Sequence, residues 1–238
     1  MIRVQNIYKK FSDWVLEDIT FEVENNEFVI ILGKSGAGKS VLFKIMVGLL
    51  KPERGSVFYE DLEITKINEN GLTELRKKIG FVFQGSALFD SMTLFDNVAL
   101  PLREHYKLTK KEIEFKVLEA LESVDLRGYE NLYPSELSGG MKKRGAIARA
   151  IVHQPQYIFY DEPTTGLDPE TADKITKLTK KLWEEKKITS LAVTHDFNFT
   201  RSVATKIIWL YDKKVRFIGK VEDFKKLEHR EAKLYFIE

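Results

Sequence analysis

The hydrophobic residues of this chain fall into short continuous runs and into longer stretches with helical spacing. The short runs are almost wholly apolar and as long as a strand, which is typical of strands buried on both faces of a parallel sheet. They comprise residues 28–32, 79–83, 157–160, 189–193 and 207–211. Apolar residues three and four apart, as at Leu42, Ile45 and Met46, predict helices between them. The pattern therefore predicts an α/β fold with a parallel sheet.

Two regions differ from this alternation. Residues 2–23 contain strand-like stretches in which apolar and polar side chains partly alternate, as in a sheet with one exposed face. Residues 85–154 have helical spacing instead, and Thr109 with Glu112 forms the sequence pattern of a capping box. We predict a single domain over residues 1–238, with a helical subdomain inserted into an α/β core. The core then comprises residues 1–84 and 155–238.

The segment after the first apolar run fits the phosphate-binding pattern of glycine, four residues, then Gly-Lys-Ser. With the residue that follows it, this segment comprises Gly33, Lys34, Ser35, Gly36, Ala37, Gly38, Lys39, Ser40 and Val41. Backbone N–H groups at a helix N-terminus bind anions, Lys39 would hold the β- and γ-phosphates, and Ser40 would bind Mg²⁺. The alternative is a glycine-rich turn in an ordinary α/β domain, but the flanking strand and helix favour a nucleotide site.

Polar side chains follow several apolar runs, at the strand ends where open α/β sheets bind ligands. Gln84 follows the second run, and His195 follows the fourth, where it could contact a γ-phosphate. Asp161 and Glu162 are adjacent carboxylates, which are costly to bury without a cation or a reacting group. We expect Asp161 to hold Mg²⁺ and Glu162 to orient and deprotonate water. An exposed acidic turn would explain either carboxylate alone, but it explains the pair poorly.

Ser138, Gly139 and Gly140 open a helix that is rich in small residues. A serine and two glycines at a helix start can bind a second phosphate, and an ordinary serine N-cap with closely packed glycines is the alternative. The charge run at 142–144, Lys-Lys-Arg, is expected to be a solvated helix face. Asp168 is the expected N-cap of another helix, because a proline follows it.

Two aromatic residues, Phe11 and Trp14, lie shortly before the glycine-rich loop. Either ring could stack on a purine base, and either could simply pack within the fold. The spacing alone does not separate these possibilities.

The composition limits the classes to which the chain can belong. A formal net charge of +2 gives no support for nucleic-acid binding, and the absence of cysteine excludes disulfides and thiolate metal sites. The N-terminal residues lack the apolar region of a signal peptide, and no apolar run approaches the ~18–20 residues that span a bilayer. We therefore expect any membrane role to depend on a partner.

In their order along the chain, these motifs resemble those of the nucleotide-binding subunits of ABC transporters. The resemblance covers nearly the whole chain. It implies a P-loop NTPase (RecA-like) parallel-sheet core with an N-terminal antiparallel β subdomain, and hydrolysis of ATP with Mg²⁺. The implied catalytic residues are Glu162, His195, Lys39 and Gln84, and the implied metal ligands are Ser40, Gln84 and Asp161. Phe11 rather than Trp14 would stack on adenine, and Asp168 would also contact the nucleotide.

The same resemblance implies partners. Two subunits would pair head to tail as a homodimer, in which Ser138–Gly140 of one subunit clamp the γ-phosphate that is held by Lys39 of the other. Integral membrane permease subunits would dock in the groove beside Gln84, with Ser86–Asp90 and the helical subdomain.

Met141 stands where most family members have glutamine, and with two further stretches it resembles the Mla/Mce-type ATPases. The stretches are residues 84–89 and 95–105. ATPases of that type energise phospholipid transport between the membranes of diderm bacteria, which maintains the lipid asymmetry of the outer membrane. The chain would then lie peripherally on the cytoplasmic side of the inner membrane and meet lipid only through its membrane partners. Two alternatives share the catalytic motifs: the ATPase of an importer for a small polar solute or metal, and a non-transport ATPase of the division type.

Overall fold

The computed structural model of the chain describes residues 1–236. Their contacts divide the chain into two compact units. The first unit comprises residues 1–76 and the segment from Thr189 onward, and the second comprises Lys77–Ile188. The boundaries predicted for the helical subdomain, 85–154, fall within the second unit and remain a prediction.

The helices and strands include one strand at each of the five apolar runs, together with strands that those runs do not predict. They are β1 (Ile2–Lys10), β2 (Trp14–Val23), β3 (Phe28–Leu32), α1 (Lys39–Met46), β4 (Arg54–Tyr59), β5 (Leu62–Glu63), α2 (Glu69–Arg76), β6 (Ile79–Val82), α3 (Leu94–His105), α4 (Lys110–Glu122), α5 (Gly139–Ile151), β7 (Tyr157–Asp161), α6 (Pro169–Lys186), β8 (Thr189–Thr194), α7 (Phe197–Val203), β9 (Lys206–Tyr211), β10 (Lys214–Gly219), α8 (Val221–Phe224) and α9 (Arg230–Lys233). Short 3₁₀ helices occur at Pro134–Glu136 and Leu234–Phe236. None of the helices within residues 1–236 combines the length and the apolar character needed to cross a bilayer.

The first unit contains an antiparallel sheet with the strand order β2-β1-β4-β5. Strand β1 buries Ile2, Val4 and Ile7 completely, while residues between them are partly or fully exposed. Such a pattern is typical of a sheet that packs on a core with one face only. The N-terminal antiparallel β subdomain expected from the family resemblance is therefore present.

The same unit contains the parallel strands that support the glycine-rich loop. Strand β3 pairs in parallel with β8 on one side and with β9 on the other, and β10 pairs with β9 in the antiparallel direction. Every residue of β3 is buried, which explains its continuous apolar run. The N–H of Gly33, just after β3, donates to the main-chain oxygen of Thr194 at 3.4 Å, so the loop starts beside the end of β8.

The second unit combines the parallel strands β6 and β7 with helices α3 to α6. Helix α5 approaches β6 closely at Gly80, where a side chain would overlap the main-chain oxygen of Ala150. Helix α4 begins at the predicted capping box: Thr109 accepts a hydrogen bond from the N–H of Glu112, and the Glu112 carboxylate accepts one from the N–H of Thr109. Local sequence thus determines where this helix starts.

A substitution at Gly55 tests whether the close approach of β4 to β1 contributes to stability. Gly55 has a φ of +93° at the start of β4, and a Cβ there would overlap the backbone of Asn6 in β1. We expect Gly55→Ala to lower the free energy of unfolding by more than about 3 kcal/mol, because the strain of a positive φ adds to the overlap. Gly128→Ala is the control, since Gly128 has a φ of +91° but open space around it. The control should lose only about 1–2 kcal/mol. Equal losses in urea unfolding would contradict the role of the overlap.

Candidate active site

The glycine-rich loop connects the buried strand β3 to helix α1. Gly36 and Gly38 have positive φ angles of 81° and 94°. A Cβ at Gly38 would lie 2.8 Å from a methyl carbon of Leu16, and one at Gly33 would lie 2.8 Å from the main-chain oxygen of Leu210. The backbone therefore follows a path that requires glycine at these positions. Gly38 is also the N-cap of α1, so the first turn of this helix has no capping side chain.

Lys39, the first residue of α1, folds back over the loop. Its ammonium donates hydrogen bonds to the main-chain oxygens of Gly33 at 2.7 Å and Lys34 at 3.2 Å, and its side chain is buried. A buried positive charge beside a helix N-terminus attracts an anion that carries several negative charges. The loop and Lys39 therefore fit the phosphates of a nucleotide.

A cavity of about 330 Å³ adjoins the loop within the first unit. It is lined by Trp14, Val15, residues 34–37 and residues 210–213. Trp14 is 38% exposed, whereas Phe11 is 60% exposed and is not among the lining residues. The contact of Phe11 with adenine remains a prediction, and the cavity favours Trp14 as an aromatic ring beside a bound base.

His195 follows β8 and lies beside the same loop. A second cavity, of about 560 Å³, is lined by His195, by Lys34 and Ser35 of the loop, and by basic and aromatic residues of the C-terminal segment and α7. The structure thus brings together the glycine-rich loop and His195, which are far apart in the sequence. A contact of His195 with a γ-phosphate remains a prediction.

The loop also has a contact that the sequence did not predict. Lys34 forms an ion pair with Glu231 in α9, and the hydrogen bond from Lys34 lowers the pKa of the Glu231 carboxyl. Lys34 is in the glycine-rich loop and Glu231 is in the charged C-terminal segment. They are far apart in the sequence, so no local sequence pattern could predict the ion pair.

The predicted pair of carboxylates lies in the second unit, at the end of β7. Asp161 is half-buried, and Glu162 is only 8% exposed. Glu162 has a φ of +46°, and its carboxylate accepts a hydrogen bond from the hydroxyl of Thr165 at 3.2 Å. A buried carboxylate on a strained backbone is typical of a functional site. The exposed acidic turn that the sequence left as an alternative does not occur at Glu162.

Gln84 and Asp161 follow neighbouring strands of the second unit. Strands β6 and β7 pair in parallel, with Val82 opposite Tyr160, so both side chains follow the same ends of these strands. An amide oxygen and a carboxylate are ligands that Mg²⁺ accepts together with phosphate oxygens and water. Within residues 1–236, no group of three or more His, Cys, Asp or Glu side chains could hold a metal ion without such help. The amide of Gln84 and the carboxylate of Asp161 have the chemistry of Mg²⁺ ligands, and the binding of Mg²⁺ remains a prediction.

The expectation of a solvated helix face at 142–144 is wrong for Lys143. This side chain is only 2% exposed, and its ammonium donates to the main-chain oxygens of Gln84 at 2.7 Å and Phe83 at 3.3 Å. Burial lowers the pKa of Lys143 to about 8, and the charges of Asp161 and Glu162 oppose this shift. Lys143 is therefore a buried cation on which the charges of the predicted metal ligand Asp161 and the predicted base Glu162 act.

The burial of Lys143 had a signal in the sequence. Ala146, Ile147 and Ala150 lie three, four and seven residues after it and are buried, so all four share one face of α5. The neighbouring cations Lys142 and Arg144 are half-buried. At this position the helical spacing predicts burial correctly, whereas the run of charged residues does not.

Ser138 caps α5, since its hydroxyl accepts a hydrogen bond from the N–H of Met141 at 3.3 Å. A Cβ at Gly140 would lie 2.6 Å from the methyl carbon of Thr171, so close packing accounts for this glycine. Asp168 caps α6 and accepts hydrogen bonds from the N–H and the hydroxyl of Thr171 at 2.9 and 2.6 Å. Binding of a γ-phosphate by Ser138–Gly140, and any contact of Asp168 with nucleotide, remain predictions.

A glycine-rich loop between a buried parallel strand and a helix, with a lysine folded over it, defines a P-loop nucleotide-binding protein. The family model described as "ABC transporter" matches residues 16–165. The chain therefore belongs to the ABC transporter family, and it is an ATPase domain of the ABC type that binds ATP. The resemblance and the P-loop NTPase fold that were predicted from the sequence are confirmed.

Relatives of this chain are named for different transport functions. The chain is 42% identical to the intermembrane phospholipid transport system ATP-binding protein MlaF of Haemophilus influenzae, over 90% of this chain and 82% of the relative. It is 42% identical to the probable ribonucleotide transport ATP-binding protein mkl of Mycobacterium leprae, over 92% of this chain but 63% of the relative. It is 41% identical to the methionine import ATP-binding protein MetN of Clostridium tetani, over 94% of this chain and 70% of the relative. The chain thus spans less than two thirds of the mycobacterial protein.

Solved structures of ATP-binding cassettes resemble the whole chain. One is the dimeric cassette MJ0796 in a post-hydrolysis state with ADP and Pi, with a TM-score of 0.84 and 36% identity over 93% of this chain and 99% of that one. Another is cbiO1 from Clostridium perfringens, part of the transporter complex cbiONQ, with a TM-score of 0.84 and 29% identity over 99% and 98% of the two chains. Both agree with the α/β fold described above.

The two aromatic candidates for base stacking can be separated by binding measurements. We expect Trp14→Ala to weaken the binding of ATP about tenfold, since stacking of one base on an aromatic ring contributes about 1–3 kcal/mol. Phe11→Ala should weaken it less, because Phe11 does not line the cavity beside the loop. Inorganic triphosphate, which has no base, should bind all variants equally. A larger loss at Phe11 than at Trp14 would support the assignment implied by the family resemblance.

Proposed function

We propose that the chain is the ATP-hydrolysing subunit of a transporter that moves phospholipid between bacterial membranes. The observation that carries this proposal is the similarity to MlaF over most of both chains, together with Met141 and the stretch at 95–105. The similarity to mkl and MetN is of the same degree, so the choice of lipid depends on these subfamily residues. The protein would lie peripherally on the cytoplasmic side of the inner membrane.

The phosphates of ATP are proposed to lie in the glycine-rich loop, where Lys39 attracts them and His195 contacts the γ-phosphate. Mg²⁺, held by Ser40, Gln84 and Asp161, would neutralise the charge that develops on the phosphate oxygens. Glu162 is the proposed general base, which orients a water molecule and accepts its proton. Its burial supports this role, because a carboxylate enclosed by protein atoms is held in one position and can orient a water molecule. The hydrogen bond from Thr165 fixes one of its oxygens.

Two subunits are proposed to pair head to tail, so that Ser138–Gly140 of one approach the γ-phosphate bound by the other. Support comes from the similar cassette MJ0796, which is dimeric in its post-hydrolysis state with ADP and Pi. ATP would favour the closed dimer and hydrolysis the open one, which requires a higher affinity of ATP for the closed form.

A surface next to Gln84 is proposed as the docking site for the permease. Phe89 is 51% exposed, so its ring is available to a partner. Its backbone is nevertheless fixed, because the fully buried Asn97 accepts a hydrogen bond from the N–H of Phe89 at 2.7 Å and donates one to its main-chain oxygen at 3.1 Å. The amide of Asn97 also donates to the main-chain oxygens of Met92 and Thr93. A rigid backbone that presents an exposed ring fits a preformed contact with a membrane partner.

The role of Glu162 can be tested by Glu162→Gln. We expect turnover of ATP to fall at least about 100-fold, because loss of a general base typically costs about 10²–10⁴ in rate. The affinity for ATP should change less than about threefold, and ATP should convert this variant into a stable dimer that gel filtration detects. Glu170→Gln is the control, as Glu170 is exposed on α6. Unchanged hydrolysis in Glu162→Gln would remove Glu162 as the base.

The transported substrate can be tested by purifying the tagged protein from native membranes in mild detergent and identifying the proteins and lipids that accompany it. We expect a permease, a substrate-binding membrane protein and enriched phospholipid. Phe89→Asp should lose the permease but keep ATP hydrolysis, since Phe89 is on the proposed docking surface. Ile218→Asp, at an equally exposed apolar residue of β10, should keep both.

A solute permease in that experiment would instead support the second candidate, an importer ATPase. This candidate rests on the similarity to MetN. Absence of any membrane partner would favour a non-transport ATPase and would contradict both transport proposals.

A further inference from the structure

Lys143 has no role in the mechanism proposed above, although it is a buried charge close to the proposed site. A neutral, apolar side chain at a buried helix position would avoid the desolvation of an ammonium, and replacing buried ion pairs with apolar groups is often neutral or stabilising. A lysine at 2% exposure therefore needs partners, and it has them in the main-chain oxygens of Phe83 and Gln84. Those oxygens belong to the segment that carries the proposed Mg²⁺ ligand Gln84.

A second buried cation of α5 holds the same segment. The guanidinium of Arg149 donates to the main-chain oxygens of Ser86 at 2.9 Å and Ala87 at 2.7 Å. Ser86 and Ala87 have positive φ angles of 63° and 50°, which for residues other than glycine persist only when the surroundings hold them. Two cations from one helix thus fix segment 83–87 through main-chain oxygens.

Lys143 differs from Arg149 in the charged groups that surround its side chain. The charges of Asp161 and Glu162 act on Lys143, whereas burial is what lowers the pKa of the Arg149 guanidinium. Lys143 therefore links helix α5 to the segment after β6 by hydrogen bonds, and the charges at the end of β7 act on it.

We propose that Lys143 is a positioning residue for ATP hydrolysis, which holds the backbone of Gln84 and attracts the carboxylates of Asp161 and Glu162 into a fixed arrangement. The inference deepens the proposed function and rests on it. In this role Lys143 contacts neither the attacking water molecule nor the nucleotide, and it acts only through the residues that it holds. Helix α5 begins after its N-cap Ser138 and carries Lys143. A displacement of this helix would therefore be transmitted by the Lys143 side chain to Gln84 and Glu162.

The test compares three substitutions that separate the charge from the hydrogen bond. Lys143→Met removes both, Lys143→Gln keeps a donor without the charge, and Lys143→Arg keeps both. We expect Lys143→Met to lower kcat at least tenfold, while the affinity for ATP in the absence of Mg²⁺ stays within twofold, since phosphate binding is assigned to the glycine-rich loop. The gain in ATP affinity on adding Mg²⁺ should shrink at least fivefold. Lys143→Arg should recover most of both losses, and Lys143→Gln should recover less than half of the loss in kcat.

Hydrogen exchange at the backbone N–H of Ser86 gives a second measurement, which needs no ATP turnover. This N–H donates to the main-chain oxygen of Phe83 at 3.0 Å, so its exchange rate reports how firmly segment 83–87 is held. Exchange there should become faster in Lys143→Met and stay slow in Lys143→Gln. Arg149→Met is the matched control, since it releases the same segment without removing the charge beside Asp161 and Glu162. It should speed exchange but lower kcat less than Lys143→Met.

Several results would overturn the proposal. These are unchanged kcat and unchanged exchange in Lys143→Met, or equal losses of kcat in Lys143→Met and Arg149→Met, which would reduce Lys143 to an anchor of the loop. If Lys143→Met does not fold, Lys143→Gln decides the question, because full activity in that variant would exclude a need for the charge. An unsubstituted protein without ATPase activity would instead contradict the proposed function, and the exchange experiment would still test the anchoring of segment 83–87.

Discussion

The arrangement of the candidate site depends on one constraint: a buried ammonium must find oxygen atoms to replace water. Each compact unit meets it in the same way. In the first unit Lys39 donates to the main-chain oxygens of Gly33 and Lys34, just after β3. In the second unit Lys143 donates to those of Phe83 and Gln84, just after β6. In both cases a lysine on a helix fixes the backbone segment that follows a parallel strand. Open α/β sheets bind their ligands at these strand ends.

The parts that could be predicted from the sequence are those that local chemistry determines. The strands β3 and β8 follow from their apolar runs, the glycine-rich loop from positions where a Cβ would overlap its neighbours, and the start of α4 from a capping box. Each of these depends on residues that are close together in the chain. The fold class and the glycine-rich loop of the candidate site therefore needed no tertiary information.

The remaining parts depend on tertiary packing, which the pattern of charges does not reveal. Lys143 is in a charged run, but the backbone of residues 83–84 covers it. Phe11 and Trp14 are close in sequence, yet only Trp14 lines the cavity beside the loop. The ion pair of Lys34 with Glu231 joins segments from opposite ends of the chain. The positions of Glu162 and His195 at strand ends led to their predicted roles, but the hydrogen bond from Thr165 to Glu162 could not be predicted.

ATP hydrolysis alone does not identify the transported substrate, because relatives of similar identity are named for phospholipid, ribonucleotide and methionine transport. The proposed docking surface is close in sequence to the proposed Mg²⁺ site, because Phe89 is five residues from Gln84. Asn97 fixes the backbone of Phe89, while Lys143 and Arg149 fix segment 83–87. The backbone between the proposed Mg²⁺ ligand Gln84 and the proposed docking surface is therefore held at both of its ends by buried side chains.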